Sequence, residues 1–319
     1  MIGLLLFAGV STVTVASTPG SQIAKKSEFS VVVDGDSYQI PLYVPQNNSV
    51  ENSHPLLIAI AGIGDPLLRF IRATDLARMA SLHGFVVAFP QVDQHDAWLG
   101  WLKPSGNINR AAVFFRSIIG GASKQASIQI DKVYLTGFST GGMLVLSAMC
   151  DMSKEVAAFG VVSASLPRAQ QAHCRIKRAV PAIIFASRND PVLPWDGGEF
   201  SVPLTTSAAK VTPATSPTID VLPVDDTVAL WRANNRCNPR PVLEPLANVD
   251  PSDRTTVTRL KYDFECRNDA YVLLYAVTRG GHTWPGSVTK LPSFEGVISQ
   301  DISASNTIWE FVRKYSLVQ

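Results

Sequence analysis

A chain of 319 residues with 46% hydrophobic and 17% charged side chains has ample apolar content for a large buried core, which excludes a disordered chain. A formal charge of +2 over that length leaves no basic stripe beyond Lys25-Lys26 and the Arg175 to Arg178 stretch, so nucleic acid is not expected as a partner. α/β chains of this length commonly build around one sheet, and a single domain over residues 28–319 is expected.

The chain opens on an apolar run, Leu4-Leu5-Leu6-Phe7-Ala8, followed by small residues ending in Val15-Ala16-Ser17. Residues 1–17 therefore read as a signal peptide, although no Lys or Arg precedes the run, and an exported protein is expected. Ser11, Thr12 and Thr14 break the run early, and no later segment approaches about 20 apolar residues, so no membrane span is expected. Val31 to Val33 and Tyr38 to Val44 flank Asp34-Gly35-Asp36, the pattern of an antiparallel hairpin. Leu56 to Ala61 and Phe85 to Phe89 are continuous apolar stretches, and the spacing between them predicts one helix from Leu68 to Leu82, ending at Gly84.

Further on, Asn109 to Ile119 predicts an amphipathic helix, Val133 to Thr136 a strand, and Gly142 to Cys150 a helix. Ala157 to Val162 and Ala182 to Ala186 read as buried strands. Phe200 to Pro223 turns to Ser, Thr, Pro and Ala without periodicity and reads as a surface excursion. A helix over Asp226 to Asn234, strands over Thr255 to Tyr262 and Tyr271 to Val277, and a helix over Ser305 to Tyr315 complete the pattern. Such alternation implies a mostly parallel central sheet with helices on both faces. The four cysteines form no Cys-x-x-Cys and join no His cluster of zinc-ligand spacing, so no metal is expected. Of the three possible pairings, the local ones are favoured: Cys150 with Cys174 and Cys237 with Cys266, in an oxidising compartment.

Three segments carry chemistry. Gly137-Phe138-Ser139-Thr140-Gly141 lies between a strand and a helix, the context of a nucleophile elbow. A Cβ at position 137 or 141 would collide with neighbouring backbone, and Ser139 would sit at a helix N-terminus, where partial positive charge favours a developing anion. The Thr140 amide is one candidate oxyanion donor. The Ile63 amide, in Ala61-Gly62-Ile63-Gly64-Asp65 after an early strand, is the second, with Gly64 as fallback. Asp190 follows a buried strand at the edge where α/β sheets hold ligands. Its competitors are Asp196, read as a turn residue, and Asp225 and Asp226, read as a helix start.

His282 lies in Gly280-Gly281-His282-Thr283-Trp284-Pro285-Gly286, a glycine-flanked loop expected to leave its imidazole free to turn toward the serine. His83 is placed at a helix C-terminus, and His54, His95 and His173 in polar loops. The order Ser, Asp, His on this elbow is the signature of the α/β-hydrolase fold, and it points to a serine hydrolase in which imidazole takes the hydroxyl proton. Trp98, Trp101, Trp195 and Trp284 fall in loops expected at the same edge and predict an aromatic-lined cleft, whereas Trp309 reads as core.

Together these segments resemble the polyhydroxybutyrate depolymerase-like esterases, a family of α/β-hydrolases that includes feruloyl and acetylxylan esterases. The resemblance runs from about Pro55 to the last helix. It rests on Leu82 to Pro90, the Trp98 and Trp101 pair, Ile130 to Tyr134, the elbow with its extra Gly142, Asp190 to Gly198, Trp231 to Cys237, and Gly281 to Gly286. It implies Ser139 as nucleophile, Asp190 and His282 as its partners, and the same two disulfides. The chain departs from the family at Ala61-Gly62, where His-Gly is common, at Thr140, where Ala or Asn is more usual, and at Asn107 to Arg110, which lacks paired acids.

With the leader and the cysteine pairs, this resemblance points to a secreted ester hydrolase working through an acyl-enzyme; a monomer is expected, and no cofactor, because hydroxyl, imidazole and amides supply every function required. The substrates implied by the resemblance are hydroxyalkanoate polyesters or oligomers, with feruloyl or acetyl esters of plant polysaccharide as the alternative. A non-catalytic binding protein on the same fold is the alternative of another class, suggested by Ala61.

Overall fold

The computed structural model describes residues 24–46, 52–91, 100–102, 109–201, 205–206, 209–210 and 218–317. The proposed leader, residues 1–17, lies outside the described residues. Ten strands make the main sheet: β1 (Lys25–Val33), β2 (Asp36–Val44), β3 (His54–Ile60), β4 (Val86–Ala88), β5 (Ile128–Phe138), β6 (Ala158–Val162), β7 (Ala182–Ser187), β8 (Val242–Pro245), β9 (Thr256–Tyr262) and β10 (Val272–Thr278). Their spatial order is β1-β2-β4-β3-β5-β6-β7-β10-β9-β8. From β4 to β10 every pairing is parallel, and antiparallel strands close both edges. The predicted hairpin is β1 and β2, with Val33 opposite Asp36 and Asp34 at φ 55°.

The main helices are α1 (Leu67–Thr74), α2 (Leu76–His83), α3 (Arg110–Gln125), α4 (Thr140–Met152), α5 (Val224–Asn235) and α6 (Ala304–Val312). They cover both faces of the sheet, and alternation along β3 shows how. Leu56, Ile58 and Ile60 join Phe114, Phe115, Leu146 and Trp231 of α3, α4 and α5 on one face. Leu57 and Ala59 join Phe70, Met79 and Ile308 of α1, α2 and α6 on the other. Successive side chains on a strand point to opposite faces, so a parallel strand covered on both sides is apolar throughout. Each large aliphatic residue buried in this way contributes about 1.5–3 kcal/mol.

The single helix expected from Leu68 to Leu82 is two. Asp75 takes φ 56°, its N–H caps the Ile71 carbonyl, and the chain restarts as α2. Aspartate tolerates this left-handed conformation better than most residues, so the break needs neither Gly nor Pro and leaves the apolar spacing nearly intact. The excursion from Phe200 is also more ordered at its ends than expected. Gly198–Ser201 pairs antiparallel with Thr218–Val221, and Phe200, Ile219 and Val221 are buried. His54, expected in a polar loop, begins β3 and is buried, with Nδ1 2.7 Å from the Gly84 carbonyl oxygen.

Both disulfides join the cysteines paired from the sequence: Cys150 to Cys174, separated by 24 residues, and Cys237 to Cys266, separated by 29. The first ties the C-terminal turn of α4, and the second ties the segment after α5 to the chain preceding β10. Among the described residues no helix is long and apolar enough to cross a membrane.

Candidate active site

The loops after β5, β7 and β10 leave the same edge of the sheet, because these strands are parallel. The strand β5 ends at Phe138 and α4 begins at Thr140, so the whole turn is made by Ser139, at φ 53° and ψ −125°. Such dihedrals are strained for a residue with a Cβ and need enforcement from the surroundings. Here the glycines supply it. A Cβ on Gly137 would stand 2.6 Å from the Gly141 carbonyl, and one on Gly141 would overlap the Ala61 carbonyl oxygen. The Ser139 N–H is fixed by the Val162 carbonyl at 2.9 Å.

His282 comes within reach of that serine: its Nε2 is 2.9 Å from Ser139 Oγ, with the imidazole 1% and the serine 8% exposed. Its Nδ1 lies 2.9 Å from Asp190 Oδ2 and 3.1 Å from Oδ1. The Asp190 side chain is 2% exposed, and Oδ1 also accepts from the N–H groups of Val192 and Leu193, both at 2.8 Å. These amides fix the carboxylate, and the carboxylate orients the ring. The arrangement can take the serine proton onto Nε2 and stabilise the resulting imidazolium at Nδ1.

The loop that carries His282 is held by a later segment. Its N–H donates to the Glu295 carbonyl at 2.7 Å, and that of Gly281 donates to the Val297 carbonyl at 2.8 Å. A Cβ on Gly281 would overlap the Glu295 carbonyl oxygen. The freedom expected of this imidazole is therefore absent: the glycine serves close backbone approach, and the ring is fixed between Asp190, Ser139 and Phe138, whose ring centroid is 5.0 Å away. The acid and base loops are also tied directly, Asn189 Oδ1 accepting from the Arg279 N–H at 2.9 Å and Ser187 Oγ donating to the Gly280 carbonyl at 2.6 Å.

The phospholipase/carboxylesterase family matches residues 102–218, the stretch holding Ser139 and Asp190. NocK of Nocardia uniformis subsp. tsuyamanensis, which bears an esterase name, is 25% identical over 88% of this chain and 81% of its own length. Feruloyl esterase B of Piromyces equi is 21% identical over 86% of this chain, and a bifunctional acetylxylan esterase/xylanase of Neocallimastix patriciarum is 28% identical over 50%. The chain spans 44% and 22% of those two relatives. The acetyl xylan esterase structure from Aspergillus awamori superposes with a TM-score of 0.56 over 90% of this chain and 99% of its own, at 15% identity, which shows a shared fold. The chain has the α/β-hydrolase fold.

The loop after β3 differs from expectation. The Ile63 N–H, expected to be an open second donor, donates instead to Thr140 Oγ1 at 2.8 Å. A threonine following the nucleophile is long enough to cross to the loop after β3, and its hydroxyl offers an acceptor there. The Thr140 N–H itself, at the first position of α4, has no partner within the helix.

Three of the four tryptophans expected to line a cleft are buried. Trp101 is 3% exposed and packs against Tyr38 and Phe114. Trp284 is 1% exposed, sits edge-on to Phe70 and Phe138, and donates to Ser305 Oγ at 2.9 Å. Trp195 is also buried, donating to Asp225 Oδ2 at 3.1 Å with the Arg188 guanidinium 4.1 Å from its ring centre. Large apolar rings gain more from burial than from exposure, and core packing accounts for all three. Trp98 lies outside the described residues.

One residue beside the site was missed from sequence. Asp65, just past Gly64, is 3% exposed and accepts from Ser293 Oγ at 2.6 Å and from the Ser293 N–H at 3.2 Å. Burial pushes its carboxyl up to about 6, against the opposing pull of Ser293 and of the His282 charge. It thereby ties the loop after β3 to the segment that holds His282. The signal available was an acid directly after a Gly-x-Gly turn, which by itself reads as solvated loop.

Proposed function

We propose that this protein is a secreted serine ester hydrolase working through an acyl-enzyme, with Ser139, His282 and Asp190 as its triad and one catalytic domain over residues 28–319. The observation that carries the reading is the unbroken chain Asp190 carboxylate, His282 imidazole, Ser139 hydroxyl, with 2.9 Å at each link. Ser139 Oγ attacks the ester carbonyl carbon while its proton passes to His282 Nε2. The tetrahedral oxyanion faces the start of α4, where the Thr140 N–H and the helix dipole favour negative charge. The intermediate collapses as His282 returns the proton to the departing alcohol oxygen. Water then repeats the cycle on the acyl-enzyme and releases the acid.

The names of two relatives favour acetyl or feruloyl esters of plant polysaccharide as substrates. Hydroxyalkanoate oligomers are the second reading, favoured by the segments shared with polyhydroxybutyrate depolymerase-like enzymes. Two disulfides support export to an oxidising compartment.

A fluorophosphonate probe should label the wild-type protein and fail on Ser139→Ala. No labelling of the wild type would leave a binding protein on a hydrolase fold. Hydrolysis of acetylated xylan, methyl ferulate and hydroxybutyrate oligomers, compared by kcat/KM, separates the substrate readings.

A further inference from the structure

The loop after β3 lies directly against the nucleophile: a Cβ on Gly62 would stand 3.3 Å from Ser139 Cβ. A second oxyanion donor must come from the space between this loop and the start of α4, close to the carbonyl carbon that Ser139 attacks. What fills that space is the Thr140 side chain, 1% exposed, with Oγ1 accepting the Ile63 N–H at 2.8 Å. A hydroxyl can donate once and accept twice. Among the described residues the Thr140 hydroxyl accepts this bond and donates none. A buried donor without a partner is costly, and the penalty is relieved when an acceptor arrives. The Ile63 amide, by donating into Oγ1, polarises the O–H bond and makes it a stronger donor.

We propose that the Thr140 hydroxyl is a catalytic residue: it donates a hydrogen bond to the oxyanion formed at Ser139, in place of the Ile63 amide whose proton it already accepts. One residue then presents two donors to the oxyanion, its backbone N–H and its side-chain O–H, and Ile63 acts through the hydroxyl. The proton stays on Oγ1 throughout. No bond is made or broken at Thr140, and the triad performs every proton transfer. This inference rests on the serine hydrolase reading.

The test uses Thr140→Val, which keeps the shape and removes the donor, Thr140→Ala, which also removes the bulk, and Thr140→Ser, which restores the hydroxyl. Both Val and Ala variants should lose about 100-fold in kcat, the usual effect of deleting an oxyanion donor, with KM within about threefold. T140S should recover most of that rate. Affinity for a trifluoromethyl ketone, which forms a tetrahedral adduct on Ser139, should fall in step with kcat/KM, while affinity for the product acid should hold.

If T140V and T140A turn over at the wild-type rate or faster, the freed Ile63 amide is the working donor and the proposal is overturned. If neither variant folds, a structure of the wild-type ketone adduct decides: an adduct oxygen within about 3 Å of Thr140 Oγ1 upholds the proposal, and one beyond hydrogen-bond reach rejects it. Fluorophosphonate labelling of the wild type keeps the two failures apart. Without labelling the hydrolase reading fails, whereas labelling with an unaffected T140V fails the hydroxyl assignment alone.

Discussion

The turn carrying Ser139 is shaped chiefly by its own sequence neighbours, whereas the loop carrying His282 is shaped by chain that comes later. In the first, Gly137 and Gly141 clear space for each other's backbone and for the Ala61 carbonyl, and the flanking strand and helix leave one residue to make the reversal. In the second, the hydrogen bonds come from the Glu295, Val297 and Ser299 carbonyls, and Phe294 of the same segment packs 5.2 Å from the Phe138 ring. A local device is written as a motif. A non-local one becomes visible only when the chain is folded.

The largest expected effect removes chemistry and leaves both devices intact. Ser139→Ala should lower kcat by about 10⁵–10⁶-fold, the scale seen when a triad nucleophile is deleted, and should not lower the melting temperature, because a strained turn loses its hydroxyl and keeps its Cβ. Esterase assay and calorimetry on one preparation check both halves.

Next, Gly141→Ala and Gly281→Ala separate the two devices. At 141 the new methyl overlaps the Ala61 carbonyl oxygen and stands 2.6 Å from that of Ile60, both backbone atoms at the end of a central strand. A loss of about 3 kcal/mol or more is expected, together with the activity. At 281 the methyl meets the Glu295 carbonyl and lies 2.7 Å from Gly296 Cα, between two loops and outside the central strands. Here the stability loss should be smaller, about 1–2 kcal/mol, while kcat drops about 100-fold as the imidazole shifts. Equal stability losses in urea titrations would erase the distinction.

A third variant loosens the far end of the helix that follows Ser139. Replacing both Cys150 and Cys174 with Ser opens a link spanning 24 residues and should cost about 3–4 kcal/mol. With α4 rising about 1.5 Å per residue, the bridge lies nearly the whole length of a 13-residue helix from the elbow, so kcat should hold at temperatures where the variant stays folded. A fall in kcat under those conditions would show that the elbow depends on distant support as the His282 loop does.

The same contrast explains how much was legible in the sequence. The alternating apolar stretches, the hairpin, the elbow and both cysteine pairings depend on short-range pattern, and the layered sheet follows from them. Asp190 and His282 stood out by their place after strands and by their order relative to Ser139. Hydrogen bonds that tertiary contact alone creates were not legible: Ile63 to Thr140, Asp65 to Ser293, and the fixing of His282 by Glu295. The tryptophans misled because a loop residue beside an active edge can turn inward as easily as outward, and burial of a large ring favours inward. Asp75 misled because a left-handed break at one residue barely shifts the helical phase.

Asp65 offers the finest test, since it joins the two regions. Its carboxyl, raised from 3.8 to about 6 by burial, keeps its proton in the folded protein at pH values where the unfolded chain has lost it. The folded state then binds more protons, so this group's contribution is fully present below about pH 4 and is lost as pH rises through 6. The two values differ by enough to move stability by about 3 kcal/mol. Asp65→Asn has no proton to lose and can still engage Ser293. Measured against wild type by urea unfolding, the variant should gain about 2 kcal/mol of relative stability between pH 4.5 and pH 7.5, the part of the full shift that lies in that window. A difference that does not vary with pH would mean that the carboxyl titrates alike in both states, with Ser293 and the His282 charge fully offsetting its burial.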